Sequence, residues 1–570
     1  MNTADDQRLD QKNDCAPDAP DRHARDHDVV VIGSGFGGSV AALRLAEKGY
    51  RVLVLEAGAR YEPGDLPATN MRLRRTLWLP RLGCKGIQRM TLLRHVLAVS
   101  GAGVGGGSLT YANALYRPPE AFYDAPQWAE VTDWRAELAP HLARAERMLG
   151  VTTAPPGTPA DGVLRETAER MGCADTFHQA PIGVFLGEPG TTVPDPYFGG
   201  IGPDRTGCTR CGACITGCRY GAKNTLPMNY LHLAQRAGAE IRPMTTVRTV
   251  NPLPGGGYAI RTERSGAWVR RRRERITTTQ VVFSAGSIGT QTLLHRLRDT
   301  GALPSVSGRL GALTRTNSEA IHFIQNARRP ADFTEGTAIT TAIRPDPDTC
   351  VQAIRFGHGS NLMGALATLQ VPAGPPLRRV LAQWRTPRRL LAGTGMRRWA
   401  ERGLAFLVMQ SLDNSLTLVR KRGLFGARLA STQGPNPNPD TIPVALRTAE
   451  IAAEVADAQP SMTVTNLFNI PITAHLIGGC VIGASERTGV VDPWQRLYGH
   501  PGLHVMDGSV VPANPGVNPA LTITALAERA MAHWPNQGQP DPRPPVGSAY
   551  QPLPPIPAGA PQWDTERNTQ

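Results

Sequence analysis

The stretch VVVIGSGFGGSVAALRLAEKGYRVLVLEA, residues 29–57, decides the fold. Val29 to Ile32 is an unbroken apolar run of strand length, and Gly33, Gly35 and Gly38 then complete G-x-G-x-x-G. Ser39 to Glu47, rich in Ala and Leu, reads as a helix, and a second apolar run, Val52 to Leu55, ends on Glu56. Strand, glycine turn, helix, strand and acid in this order predict a dinucleotide-binding βαβ unit. Gly33 permits the tight turn, Gly35 lets the backbone approach a pyrophosphate, and Gly38 lets helix and strand pack closely. The helix start offers free N–H groups and a positive dipole end to the phosphates. Glu56, 18 residues past Gly38, is placed to accept hydrogen bonds from the adenosine ribose.

Working outward, the chain of 570 residues is too long for one small core and predicts two domains or a large composite fold. With 41% hydrophobic and 19% charged residues it has the composition of an ordinary globular protein. No run of about 18 apolar residues predicts a transmembrane helix. Residues 1–27 are polar, acidic and without an apolar centre, so they read as a disordered tail and neither a signal nor a transit peptide. Cytoplasmic residence is the expectation. The net charge of +14 is carried mostly by arginine and fits a solvated surface or contact with an anionic membrane. Nucleic acid is not expected, because no nucleic-acid-binding motif accompanies the charge. LRRVLAQWRTPRRLLAGTGMRRW, Leu377 to Trp399, is a basic aromatic stretch able either to lie on a membrane surface or to pack inward. The Pro- and Gly-rich end, residues 536–570, reads as a second disordered tail.

Four of the nine cysteines fall in C-T-R-C-G-A-C-I-T-G-C, as Cys208, Cys211, Cys214 and Cys218. In a reducing compartment such density argues for metal or redox use before disulfides. The spacing resembles the ferredoxin run, with Arg219 where that motif has proline. An iron–sulfur cluster, zinc, and free or structural thiols all remain open readings.

Near the other end stand AHLIGGCVIG, residues 474–483, and GLHVMDGSVVPANPGVNPALTITALAERA, residues 502–530. With the nucleotide unit and GVGGGSLTYAN, residues 103–113, these blocks resemble the glucose–methanol–choline (GMC) family of flavoprotein oxidoreductases, and within it the cholesterol oxidase-like branch. The resemblance implies FAD on the nucleotide unit. It places the active-site histidine at His475 and the second active-site position at Asn518. It assigns Asp507 and Gly508 to the ribityl–pyrophosphate region, Gly103, Gly107, Ser108 and Asn113 to the flavin, and Val247 to the adenine. Oxidising an alcohol requires loss of a hydroxyl proton and transfer of a hydride from the same carbon to the flavin. A neutral imidazole, with a reference pKa of about 6.5, can take that proton. Asn518 can offer an N–H to the substrate oxygen or the flavin without titrating. One position departs from the branch. In VQAIRFGHGSN, Val351 to Asn361, relatives carry a glutamate at the second position that moves a steroid proton, where this chain has Gln352. An amide is not a base, so double-bond isomerisation is not expected from it. Glu319, in RTNSEAIH, is another carboxylate in this region, a candidate for that proton transfer or for a structural or flavin-supporting role.

The expected fold is α/β: a discontinuous Rossmann-type FAD-binding domain, residues 28–118, 208–310 and 475–535, plus a β-sheet-based substrate domain. Residues 119–207 are expected to be a substrate-domain or cap segment and 311–474 the substrate-binding domain. The expected activity is oxidation of a secondary, sterol-like or other hydrophobic alcohol, with oxygen or a redox partner as electron acceptor. An iron–sulfur alcohol dehydrogenase serving a quinone or protein acceptor is one alternative. A non-catalytic flavin electron-transfer or membrane-associated binding protein is the other.

Overall fold

The computed structural model describes residues 25–269, 271–329, 332–384, 396–423 and 426–558. Most of the expected N-terminal tail, the centre of the basic stretch Leu377 to Trp399 and the last twelve residues, 559–570, lie outside these.

Two sheets organise the chain. The first contains β1 (His27–Ile32), β2 (Val52–Leu55), β3 (Glu240–Arg242), β4 (Thr245–Pro252), β5 (Tyr258–Arg264) and β6 (Glu274–Phe283) in the order β3-β2-β1-β6-β5-β4. β3, β2, β1 and β6 run parallel, while β5 and β4 return as an antiparallel meander. The short strand Leu503–Val505 pairs in parallel with the last three residues of β6, Val281 to Phe283. This pairing joins the C-terminal block to the nucleotide unit across more than two hundred residues. The continuous apolar character of VVVI and VLVL suits strands covered on both faces, and all of Val29 to Val31 and Val52 to Leu55 are buried. Each such side chain contributes about 1.5–3 kcal/mol on leaving water. The helix α1 (Phe36–Glu47) follows β1 and packs against the helix Ala520–Ala532.

The second sheet is antiparallel. It contains β7 (Ala320–Gln325), β8 (Ile339–Asp346), β9 (Thr349–Ile354), β10 (Leu404–Gln410) and β11 (Gln459–Thr463) in the order β11-β7-β10-β9-β8, with Ala367–Leu369 and His178–Gln179 at its edges. Alternation sorts its side chains between two cores. Ile324, Val351, Ala353, Phe406 and Val408 pack beneath the helices Pro159–Met171 and Pro443–Val455. Phe323, Cys350, Ile354, Ala405 and Leu407 occupy the other face, which looks toward the nucleotide domain. Gln352 shares that face, two residues from Cys350 and two from Ile354.

Two boundaries differ from the expectation. Residues 119–207 divide between the two cores. Trp128, Trp134, Leu138 and Leu142 belong to the core of the nucleotide domain, whereas Val163 and Leu164 belong to the substrate sheet. Trp128 and Trp134 stack at 4.3 Å between ring centroids, and amphipathic sequence alone does not say which core such residues join. The Pro-rich end is not a free tail through residue 558. Lys48 Nζ donates to the Ile556 carbonyl at 2.8 Å, and Tyr550 donates to Glu137 at 2.7 Å. The Arg529 guanidinium, buried under Trp134 and Trp494, donates to the Tyr550 hydroxyl at 2.7 Å. Proline removes helix and sheet options but not docking, so a strap results.

Candidate active site

The two domains enclose a cavity of about 910 Å³. At one end is the glycine turn. Gly33 sits at φ +104°, and a Cβ there would stand 2.2 Å from the Ser284 carbonyl oxygen of the β6 turn, so the position tolerates only glycine. A Cβ on Gly35 would meet no protein atom within 4 Å, although the residue caps α1 and lines the cavity. The space is therefore left free on the ligand side, in front of the unpaired N–H groups of the first helical turn. Glu56 lines the same end. Its Oε2 accepts from Ser34 N and Oγ at 3.1 and 2.7 Å, and its Oε1 accepts from Gly58 N at 2.7 Å. These bonds hold the carboxylate at the end of β2, facing the turn. A glycine turn open to the cavity, a held acid and a helix start together fit a dinucleotide.

Of the residues marked in the sequence, Gly33, Gly35, Glu56, Gly107, Val247, Asp507, Gly508, His475 and Asn518 all line this one cavity. Gly38, Gly103, Ser108, Asn113 and Gln352 are not on its wall. Gly38 packs on the Gly33 carbonyl, where a Cβ would approach to 2.1 Å. Gly103 accepts from Gly106 N at 2.8 Å, and Ser108 Oγ bridges the Gly105 carbonyl and Leu226 N. These residues shape the loop that carries Gly106 and Gly107 rather than facing the cavity. Asn113, at φ 67°, lies between the wall residues Ala112 and Ala114, and its Nδ2 and Oδ1 are buried without a protein partner. Asp507 reaches the cavity, but its oxygens accept from Thr290 Oγ1, Ser509 N and Ser509 Oγ. Burial raises its pKa, against the pull of those hydrogen bonds. The carboxylate thus holds the turn after Leu503–Val505.

At the other end four distant segments meet. His475 follows the strand Ile472–Thr473 and is 14% exposed through its side chain. Its Nδ1 lies 2.8 Å from Oε2 of Glu319, a residue with no exposed side-chain surface. Asn518 stands just before the helix Ala520–Ala532. Its Oδ1 accepts from Gln352 Nε2 of β9 at 2.7 Å. Asn317 ties the segments together: its Nδ2 donates to the Val517 carbonyl and its Oδ1 accepts from Gly516 N, both at 2.9 Å. Asn317 and Ser318 both have positive φ, 58° and 42°, a strained pair immediately before Glu319. Sequence reasoning marked Glu319 as an alternative proton-transfer carboxylate or a structural or flavin-supporting residue, without a partner. No local signal pairs it with a histidine 156 residues away.

Of the three readings of the cysteine run, the geometry favours separate thiols: among the described residues no three His, Cys, Asp or Glu side chains are grouped to hold a metal ion, Cys208, Cys211, Cys214 and Cys218 included. Cys211 is exposed, and all four are free of disulfides. Three of the sulfurs accept backbone N–H groups from different directions: Cys208 from Arg210, Cys214 from Ala338 and Cys218 from Lys223, each at 3.4 Å. Burial pushes the Cys208 thiol up to about 11 and the Cys214 thiol up to about 12, so both are neutral thiols in this packing. What the run builds is a wall. Lys223 Nζ, whose pKa burial lowers to about 8, donates to the Cys214, Leu109 and Tyr111 carbonyls. The lysine thereby staples the run, whose Ile215 and Thr216 line the cavity, to the loop after Gly107.

A nucleotide cradle opening onto an imidazole and an amide, under an apolar antiparallel sheet, fits a two-domain dinucleotide-dependent oxidoreductase. Residues 28–62 match the model of an FAD binding domain, and residues 199–297 and 427–527 match two models of GMC oxidoreductase. A cholesterol oxidase of Mycobacterium tuberculosis is 51% identical over 93% of this chain and 95% of its own length. A cholesterol oxidase of Acinetobacter baumannii is 42% identical over 90% of this chain and 94% of its own. The crystal structure of pyridoxine 4-oxidase from Mesorbium loti shares the fold, with a TM-score of 0.56 at 15% identity, over 88% of this chain and 98% of that one. The chain belongs to the GMC oxidoreductase family, in its cholesterol oxidase-like branch. It is an FAD-dependent oxidoreductase acting on CH–OH donors.

Proposed function

We propose that the protein oxidises the secondary alcohol of a 3-hydroxysteroid, or of a similarly hydrophobic substrate, to the ketone, with molecular oxygen as the final acceptor. One observation carries the reading: the cavity of the nucleotide turn is continuous with His475 and Asn518 and is walled by Ile321, Phe323, Ile354 and Leu407 of the antiparallel sheet and by Phe356 just beyond β9. Such a wall suits a rigid apolar body whose single polar group must find the imidazole and the amide. The names of the two relatives support both the sterol and the oxygen.

FAD would be held by the Gly33 to Gly37 turn, Glu56, Val247, Gly107 and Gly508, with the Asn113 carboxamide behind it. When bound, it supplies the hydride acceptor. The chain's residues do the rest. His475 takes the hydroxyl proton as the hydride departs from the same carbon, Asn518 donates an N–H to the oxygen, and the apolar wall excludes water. Anaerobic mixing of the yellow holoprotein with a 3β-hydroxysteroid should bleach the flavin band, and admitting air should restore it. Failure of any steroid to bleach it, with bleaching by a straight-chain alcohol, would overturn the substrate.

We also propose peripheral contact with an anionic membrane. Exposed Met71, Leu73, Leu79, Leu82 and Met90 alternate with exposed Arg72, Arg74, Arg75, Arg81 and Lys85 on a segment that forms part of the cavity wall. Apolar and cationic side chains so interleaved suit a headgroup layer. Co-sedimentation with phosphatidylserine vesicles, weakened in Leu82→Ser, is expected. Equal recovery in the supernatant with and without vesicles would remove this contact. Among the described residues no helix is long and apolar enough to cross a membrane.

A further inference from the structure

We infer that Glu319 is a positioning residue for His475: it fixes the ring as the Nδ1–H tautomer and presents an unprotonated Nε2 to the substrate hydroxyl. The inference deepens the role just proposed for His475 and rests on it.

The geometry leaves the ring little choice. A carboxylate only accepts hydrogen bonds, so a ring nitrogen 2.8 Å from Glu319 Oε2 carries the proton. The other nitrogen then has a free lone pair, as a proton acceptor must. Glu319 is itself held on every side. Its Oε2 accepts from Thr473 Oγ1 at 2.8 Å, and its Oε1 accepts from Ala474 N at 3.1 Å. Thr473 Oγ1 in turn accepts from His475 N at 2.9 Å. The carboxylate therefore grips both the ring and the backbone that carries it. The strained Asn317–Ser318 pair aims Glu319 inward, and Asn317 clamps the Asn518 loop in the same step. One short segment thus sets the spacing between the two side chains that meet the substrate.

The arrangement has a kinetic meaning. Nε2 would take the hydroxyl proton as the O–H bond breaks and the carbon–oxygen double bond forms, a bound flavin supplying the acceptor for the hydride. The ring becomes an imidazolium with a buried carboxylate beside it, the stabilisation such pairs provide in other acid–base sites. With each oxygen already accepting protein hydrogen bonds, Glu319 is not free to shuttle a second proton across a steroid.

The test reads the tautomer directly. Holoprotein labelled with 15N-histidine, with the His475 signal assigned by comparison with His475→Gln, should show a protonated Nδ1 and an unprotonated Nε2. The unsubstituted protein suffices for this measurement, so a variant that fails to fold does not decide it. In Glu319→Gln the signal should move toward the other tautomer. Flavin reduction should slow by ~10²–10⁴ with KM changed less than about threefold and FAD retained. Glu319→Asp should recover part of the rate. An Nε2–H tautomer in the unsubstituted protein, or reduction of Glu319→Gln at the full rate, would overturn the inference. Because the tautomer is read without substrate, failure of the sterol reading alone leaves this result interpretable.

Discussion

The nucleotide turn and the corner around His475 line one cavity, yet they are built in opposite ways. The turn comes from a single stretch, Ile32 to Gly38, held by backbone contacts: Gly33 N donates to the Leu55 carbonyl and Ser284 N to the Ile32 carbonyl. The corner comes from Glu319, Gln352, His475 and Asn518, four segments joined through side chains. The turn presents main-chain groups to a constant ligand, so few of its positions tolerate a side chain. The corner presents side chains to a changing one, so each acting group needs a partner to fix its direction. The imidazole is an ambiguous group, and the Glu319 carboxylate removes the ambiguity.

Four substitutions break or sharpen this contrast. The largest effect is expected from Gly35→Val. The Cβ of the new side chain meets no protein atom within 4 Å, and the branch enters the phosphate approach. The variant should therefore fold with an unchanged far-UV spectrum and purify colourless. A normal yellow product would place the nucleotide elsewhere. Next comes His475→Ala. It should keep the bound-flavin spectrum while anaerobic flavin reduction slows by ~10²–10⁴, the range for losing a positioned acid–base group. Reduction at the unsubstituted rate would dissolve the catalytic corner.

A smaller effect, on products and not on rate, is expected at Gln352. With an amide there and Glu319 engaged, a 3-hydroxy-5-ene steroid should leave largely as the unisomerised 5-en-3-one. Gln352→Glu should raise the conjugated 4-en-3-one fraction, read by its ultraviolet absorbance. Rapid conjugation by the unsubstituted protein would show that a base other than residue 352 is at work. The smallest effect is expected from Cys211→Ser. This exposed thiol supports neither the cavity wall nor Lys223, so FAD content and reduction rate should be unchanged. Iron that co-purifies with the unsubstituted protein and disappears in this variant would restore a metal to the run.

The periodic and local features of this protein were legible without coordinates. G-x-G-x-x-G between an apolar strand and an Ala-rich helix specifies its own geometry, because glycine conformations and strand burial act within about thirty residues. His475 and Asn518 were legible by resemblance, since each sits in a distinctive block. Tertiary structure alone decided the rest. It separated Gly35, which faces the cavity, from Gly38, which packs on Gly33. It placed Trp128 and Trp134 in the nucleotide core, docked the Pro-rich strap through residue 558, and turned a dense cysteine run into a cavity wall stapled by Lys223. Above all it brought Glu319 to His475 and Gln352 to Asn518. Hydrogen bonds between side chains 156 and 166 residues apart depend on how two sheets face each other. No periodicity in either segment records that distance.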